Sequence, residues 1–272
     1  MKAEKIKYNA DQGIYLFGFA RSVPILSIQG TGVDGRTPLF LHRFSDITAV
    51  ISSIVLDQFC GPSAESRMQD IAWVGPHAFR HEAVVEEAMR LSPVLPARFG
   101  TIFSSLKSLE NLLKIHHNKI LRFLDHVADK EEWSVKGYID SKKTKKKLYD
   151  QALAGETEGL AALSPGVRYF QTKRIRNKMD KQLNSRLKEV VKGIGEALNT
   201  NASDFYQRKL LSRDATGKDM IMNWAYLIPR DSVPDFCVQV DRMNANHHHE
   251  GLSLELSGPW PPYSFCPSLE ME

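Results

Sequence analysis

A chain of 272 residues, 42% hydrophobic and 25% charged, can bury its own core as one large domain or two ordinary ones. Its formal charge of +4 is too mild for a global nucleic-acid footprint, and no apolar run reaches the length of a membrane span. Cys60, Cys237 and Cys266 are odd in number and far apart, with no CxxC, which argues against a disulfide framework or a zinc knuckle and points to a reducing cytosol.

The opening Met1-Lys2-Ala3-Glu4-Lys5 mixes charges of both signs, unlike a signal peptide. Gly13 to Ala20 is apolar and rich in β-formers, which predicts a buried strand. Residues 22–38 hold Pro24, Gly30, Gly32, Gly35 and Pro38 and read as a loop. Leu39–Phe44 and Ile47–Val55 read as strands joined by a Ser45-Asp46 turn. Ser66 to Gln69 has capping-box spacing, and Gly75-Pro76 is expected to end one helix and open another that runs to Leu91. Val94 to Gly100 is extended and edge-like, because Pro96 cannot donate to a ladder. Leu106, Leu109, Leu113, Ile120, Leu124 and Val127 then mark an amphipathic helix over Ser105–Val127.

Near Asp129 the pattern restarts. Trp133 to Ile139 alternates as a half-buried strand does, and Lys142 to Lys147 reads as a solvated basic run. Ser164-Pro165 opens a helix that carries Ile175, Met179, Leu183, Leu187, Val191, Ile194 and Leu198 on one stripe, with Gly193 and Gly195 as possible early ends. At about 1.5 Å per residue it outruns any sheet it covers, so part of it must project or find cover elsewhere. Phe205–Leu211 and Ile221–Ile228 flank Asp214-Ala215-Thr216-Gly217, a hairpin signal; a helix over Val233–Met243 and a strand over Leu252–Leu256 follow. The order β-α-β-β-α-β is the ferredoxin-like signature. The fold expected is therefore α+β in two domains: an N-terminal α+β domain over 1–129, and a ferredoxin-like C-terminal domain over 130–272 with a long helical extension and a Pro-rich tail.

The motifs that could carry chemistry are weak. Gly30-Thr31-Gly32-Val33-Asp34-Gly35 satisfies G-x-G-x-x-G, but a pyrophosphate site needs a helix N-terminus after the glycines, and a strand-like run follows instead. His77 and His81 lie one helical turn apart and could share a metal, yet H-x-x-x-H-E misplaces the glutamate of a metalloprotease, and both share an apolar stripe with Val84 and Ala88. Half-buried histidines at a packing seam are the better reading. His116-His117 and His247-His248-His249 are read as structural and as a solvated loop. No cysteine has a sequence neighbour that would activate it. Nine Lys/Arg between Arg168 and Lys192 face only Asp180 and Glu189, a pattern that suits RNA or another anionic surface but more often a solvated face. Pro259-Trp260-Pro261-Pro262-Tyr263 is expected to fold back on its own domain's sheet. No catalytic, cofactor-binding or metal residue is assigned, and no cofactor.

Several segments together resemble the GvpF/GvpL gas vesicle proteins. They are Gly13-Ile14-Tyr15-Leu16-Phe17-Gly18; His81-Glu82-Ala83-Val84-Val85; Val94 to Phe103, with its L-P-x-R-F-G-T; Glu132 to Lys136; Ala225 to Ile228; and Leu256 to Phe265, with its GPWPPYSF. The resemblance covers nearly the whole chain, leaving out residues 22–38 and the tail after Phe265. It implies a non-enzymatic accessory protein of gas vesicle assembly that contacts the hydrophobic shell protein and other accessory proteins, without membrane or nucleic acid. It also implies a place in the cytoplasm and on the vesicle, extending to the gas-facing side of the shell. Two other readings stand beside it: an RNA- or anionic-surface-binding module using the basic helix, and a metal-dependent enzyme using His77 and His81.

Overall fold

The computed structural model describes residues 11–22, 27–154, 163–211 and 217–270. The chain divides into two compact units, Met1–Glu131 with Trp260–Glu272, and Glu132–Pro259.

The first unit is built on β1 (Gln12–Arg21), whose eight inner residues are all buried, as only a strand covered on both faces can be. β2 (Leu39–Phe44) and β3 (Ile47–Val55) form the hairpin expected around Ser45-Asp46; Ser45 takes a left-handed φ of 53° to close it. β3 runs antiparallel to β1, with a register shift between Leu16 and Gly18. β4 (Val94–Pro96) closes the order β2-β3-β1-β4 as an edge, as Pro96 demands, and β5 (Ile102–Phe103) also pairs with β1. Gly18 permits the approach of β4: a Cβ there would stand 2.8 Å from the Leu95 carbonyl oxygen.

Three helices lie between β3 and β4: α1 (Leu56–Phe59), α2 (Pro62–Gln69) and α3 (Ile71–Leu91). Two expectations fail here. Ser66 caps nothing, since it lies inside α2, and α3 runs through Gly75-Pro76 without a break. The N-cap is Asp70, which accepts from the Ala72 amide at 2.9 Å. The bond Pro76 cannot donate would go to the Ala72 carbonyl, and Ala72 is exposed to solvent, so the lost bond costs less there than in a buried turn. Val84, Val85 and Ala88 of α3 pack with Tyr15, Phe17, Val50 and Ile54 of the sheet. α4 (Leu106–Val127), opened by a Ser105/Ser108 capping box, packs on β1 and buries Leu109, Leu113, Ile120 and Leu124. Past its C-cap, Ala128, the chain turns away through Asp129 in the left-handed conformation (φ 55°).

The second unit runs β6 (Lys130–Ile139), α5 (Ser141–Ala154), α6 (Pro165–Asn199), β7 (Asp204–Gln207), β8 (Asp219–Pro229), α7 (Val233–His247), β9 (Leu252–Trp260), in the sheet order β7-β8-β6-β9. Ile194 and Leu198 of α6, with Phe236 and Val240 of α7, bury the sheet residues Val135, Met222, Tyr226, Ile228, Leu252 and Leu254. The lysine run forms the first two turns of α5, with Lys142, Lys143 and Lys146 exposed. Its apolar residues are too few to show a period, and Tyr149, whose hydroxyl donates to Asp180 at 2.7 Å under the Arg176 guanidinium, ties it to α6. Neither Gly193 nor Gly195 ends α6, which continues to Asn199. Its 35 residues span about 52 Å, and its fully buried residues, Leu183, Ile194 and Leu198, all lie in the C-terminal half. The Asp214–Gly217 hairpin signal falls largely outside the described residues.

Candidate functional site

A polar cluster of the first unit gathers where β1, α3 and the β4–β5 segment meet the tail. α3 turns His81 and Glu82 towards its packed side because His81 stands three and four positions, and Glu82 three positions, before the Val84-Val85 pair that packs on the sheet, one helical turn away. His81 is 2% exposed and has Phe17 stacked on its ring at 5.5 Å. Tyr15 Oη donates to His81 Nδ1 at 3.0 Å and accepts from the Gly100 amide at 3.0 Å. His81 Nε2 then carries the proton and donates to the Ala97 carbonyl at 3.1 Å. Tyr263 Oη donates to Glu82 Oε2 at 3.0 Å and takes a longer contact from His81 Nε2 at 3.3 Å.

The electrostatics follow from burial. Desolvation lowers the His81 pKa to about 4, against the opposing pull of the Ala97 carbonyl. It raises the Glu82 carboxyl, a shift that the Tyr263 hydroxyl partly offsets. It also pushes the Tyr15 and Tyr263 phenols far up, Tyr263 further still because it faces Glu82. The cluster therefore holds a neutral imidazole and two neutral phenols in one hydrogen-bonded network that ends on the half-buried Glu82 carboxyl. Every ring nitrogen of His81 is engaged within the protein, which leaves no lone pair for a metal, and His77 is turned away with Nδ1 at 2.6 Å from the Trp73 carbonyl. Among the described residues no group of three or more His, Cys, Asp or Glu is placed to hold a metal ion.

The other sequence candidates are scattered. In the glycine loop Asp34 Oδ1 accepts from the Arg36 and Thr37 amides and the Thr37 hydroxyl, each at 2.9 Å, and Gly32 N donates to the Thr37 carbonyl. This closes a turn onto itself, and β2 follows where a dinucleotide site needs a helix. His116 Nε2 bonds the Glu270 carbonyl at 3.0 Å, and His247 faces Glu250. Cys60 is exposed, Cys237 and Cys266 half-buried.

Two features escaped the sequence reading. The tail folds not on the second unit's sheet but into the first unit, where Tyr263 meets Glu82 across 181 residues of sequence. In the second unit Glu132, 1% exposed, forms an ion pair with Arg208, which also reaches Ser134 Oγ at 3.3 Å. Nothing in either sequence neighbourhood announces these pairings. The only available signal was that His81-Glu82, the L-P-x-R-F-G-T stretch and the closing PPY all belong to the segments that carry the family resemblance.

Those segments converge: β1 supplies Tyr15, α3 His81 and Glu82, the stretch after β4 Ala97 and Gly100, and the tail Tyr263. The family model described as gas vesicle synthesis protein GvpL/GvpF matches residues 13–267. The chain belongs to the GvpL/GvpF family. Gas vesicle protein L of Streptomyces sp. (strain CB03234) is 25% identical over 260 residues, which cover 95% of this chain and 94% of that protein. Gas vesicle protein F of the same strain is 27% identical over 255 residues, 92% of this chain and 98% of that one. The crystal structure of GvpF from Anabaena sp. PCC7120 superposes with a TM-score of 0.69 at 21% identity, over 94% of this chain and 97% of that chain. GvpL/GvpF membership gives this protein a role in gas vesicle assembly, and its fold is mixed α+β with two antiparallel sheets, similar to GvpF. No helix among the described residues is long and apolar enough to cross a membrane.

Proposed function

We propose that this chain is a non-enzymatic accessory protein of gas vesicle assembly that contacts the hydrophobic shell protein and other accessory proteins, working in the cytoplasm on the nascent vesicle and, in the finished one, at the gas-facing side of the shell. The observation that carries the reading is the family match over residues 13–267. A shell protein apolar enough to exclude water must be kept from aggregating before it assembles, and a folded accessory protein can do this by offering apolar surface of its own. The His81 network supports the non-enzymatic part, because its titratable groups are occupied by one another and by backbone. We read the two units as two domains, and the second as ferredoxin-like: its order β7-β8-β6-β9 is second-third-first-fourth in a β-α-β-β-α-β chain, with α5 and α6 both filling the first crossover. The test is retention of purified shell protein by the immobilised full-length chain. Retention above that of an unrelated protein of the same charge supports the reading; equal retention on both overturns it.

A further inference from the structure

α6 packs on β8 and leaves the helix-side face of the edge strand uncovered: Phe205 is 40% exposed, and Leu210 just beyond β7 is 49% exposed. Between them and α6 runs a groove of about 650 Å³, floored by Trp224 and Ile221 and walled by Leu187 and Val191 of α6. Its α6 wall continues into a row of cations. Lys188 lines the groove, and Lys181 and Arg174 precede it at seven-residue spacing, which keeps all three on one face over about 21 Å of helix. All three are exposed, and none has a carboxylate partner among the described residues; the ion pairs of α6 belong instead to Asp180, Arg186 and the Lys192–Glu196 pair, the last on the groove's own rim.

We infer that this groove docks an amphipathic helix of an acidic partner protein. An apolar trough beside a helix, flanked by like charges at heptad spacing, is what a second helix fills: its apolar stripe enters the trough and acidic residues one heptad apart meet Arg174, Lys181 and Lys188. Strand addition fits less well, because β7 offers only four residues of edge. A nucleic-acid backbone would use the cations but leave the apolar floor unfilled. The inference rests on the reading that the chain works by holding partner proteins, and its test is separate from shell-protein retention, which another surface could carry.

The probe is a stapled synthetic helix of about 18 residues, five turns, with leucine at the a and d positions and glutamate at e and g, labelled for fluorescence anisotropy against the full-length protein. Binding should weaken about ten-fold or more in Lys181→Glu/Lys188→Glu and in Leu210→Asp, and stay unchanged in Lys178→Glu, off the row. The Lys181→Glu/Lys188→Glu protein should instead prefer the same helix with lysine in place of glutamate, which excludes simple misfolding. Four results overturn the inference: equal binding of glutamate and lysine helices by the unaltered protein; equal binding of a scrambled peptide of the same composition; binding of a uridine oligonucleotide but not of the helix; or a dimer of the protein that the groove substitutions dissolve.

Discussion

His81 has two ring nitrogens, and both have partners inside the protein, one accepting from Tyr15 and one donating to Ala97. Such a ring is stable only while neutral, since a second proton would leave the buried Tyr15 hydroxyl without its acceptor. The fall of its pKa from the ordinary 6.5 to about 4 expresses that cost, on the order of 3 kcal/mol. The sign follows from proton counting. Between about pH 6.5 and 4 the unfolded chain takes up a proton that folded His81 refuses, so the contribution to stability is complete above pH 6.5 and drains away as pH falls. Glu82, raised by burial, contributes in the opposite sense over part of the same range, so wild-type stability alone is not diagnostic. The comparison with His81→Gln is. At pH 7 the substitution should cost about 2 kcal/mol through lost packing and hydrogen bonds. Urea unfolding at a series of pH values should then show that penalty shrink steadily towards pH 4.5. A penalty that stays level across the series would mean that His81 is not held neutral.

Glycines two residues apart in α6 separate the contributions of an element from those of its surroundings. A Cβ at Gly193 meets nothing within 4 Å, whereas one at Gly195 would stand 2.2 Å from Trp224 Cζ3 and 2.4 Å from its Cη2. Gly193→Ala should therefore stabilise by roughly 0.5–1 kcal/mol through helix propensity, and Gly195→Ala should destabilise by about 1–3 kcal/mol through overpacking. Thermal melts of the two single variants should move in opposite directions; a shared direction would show that α6 does not lie on Trp224 in this way. The same helix shows what was legible beforehand. Its stripe from Ile175 to Leu198 gave its span, because a long amphipathic period survives any surroundings, and β1 and the Ser45-Asp46 hairpin were readable for the same reason of simple local pattern. α5 was not readable, since lysines hide a helix whose polar anchors to α6, Tyr149 and Lys145, both meet Asp180, more than 30 residues away in sequence. The break expected at Gly75-Pro76 failed because tertiary packing of Trp73, Val84 and Val85 outweighed one missing hydrogen bond near the helix start. The candidate site was half visible: His81 was placed in a packing seam, but its partner Tyr263 comes from 182 residues further on, a distance no local pattern spans.

In chain order the second unit interrupts the first, which is resumed only at Trp260. The last residues are thus a structural part of the first unit and not an appendage of the second. They touch it at α3 and at α4: Tyr263 donates to Glu82 of α3, while the carbonyls of Ser268 and Glu270 accept from Lys119 Nζ at 2.6 Å and His116 Nε2 at 3.0 Å of α4. The exposed lysine bond is worth little, but removal of Tyr263 strips a half-buried carboxyl of its donor and uncovers His81, a loss of about 1–3 kcal/mol before any apolar burial is counted. A chain that stops at Pro259 should accordingly lose stability in the first unit alone. Hydrogen exchange read by mass spectrometry would resolve this, with protection falling in β1 (Gln12–Arg21) and unchanged in β8 (Asp219–Pro229). A synthetic peptide of residues 260–272, added in excess, should restore β1, since mass action can supply in solution the contacts that the covalent tail makes at high effective concentration. Two outcomes would refute this account. If both strands lose protection equally, the units do not unfold separately; if neither does, the tail merely lies on the first unit without holding it.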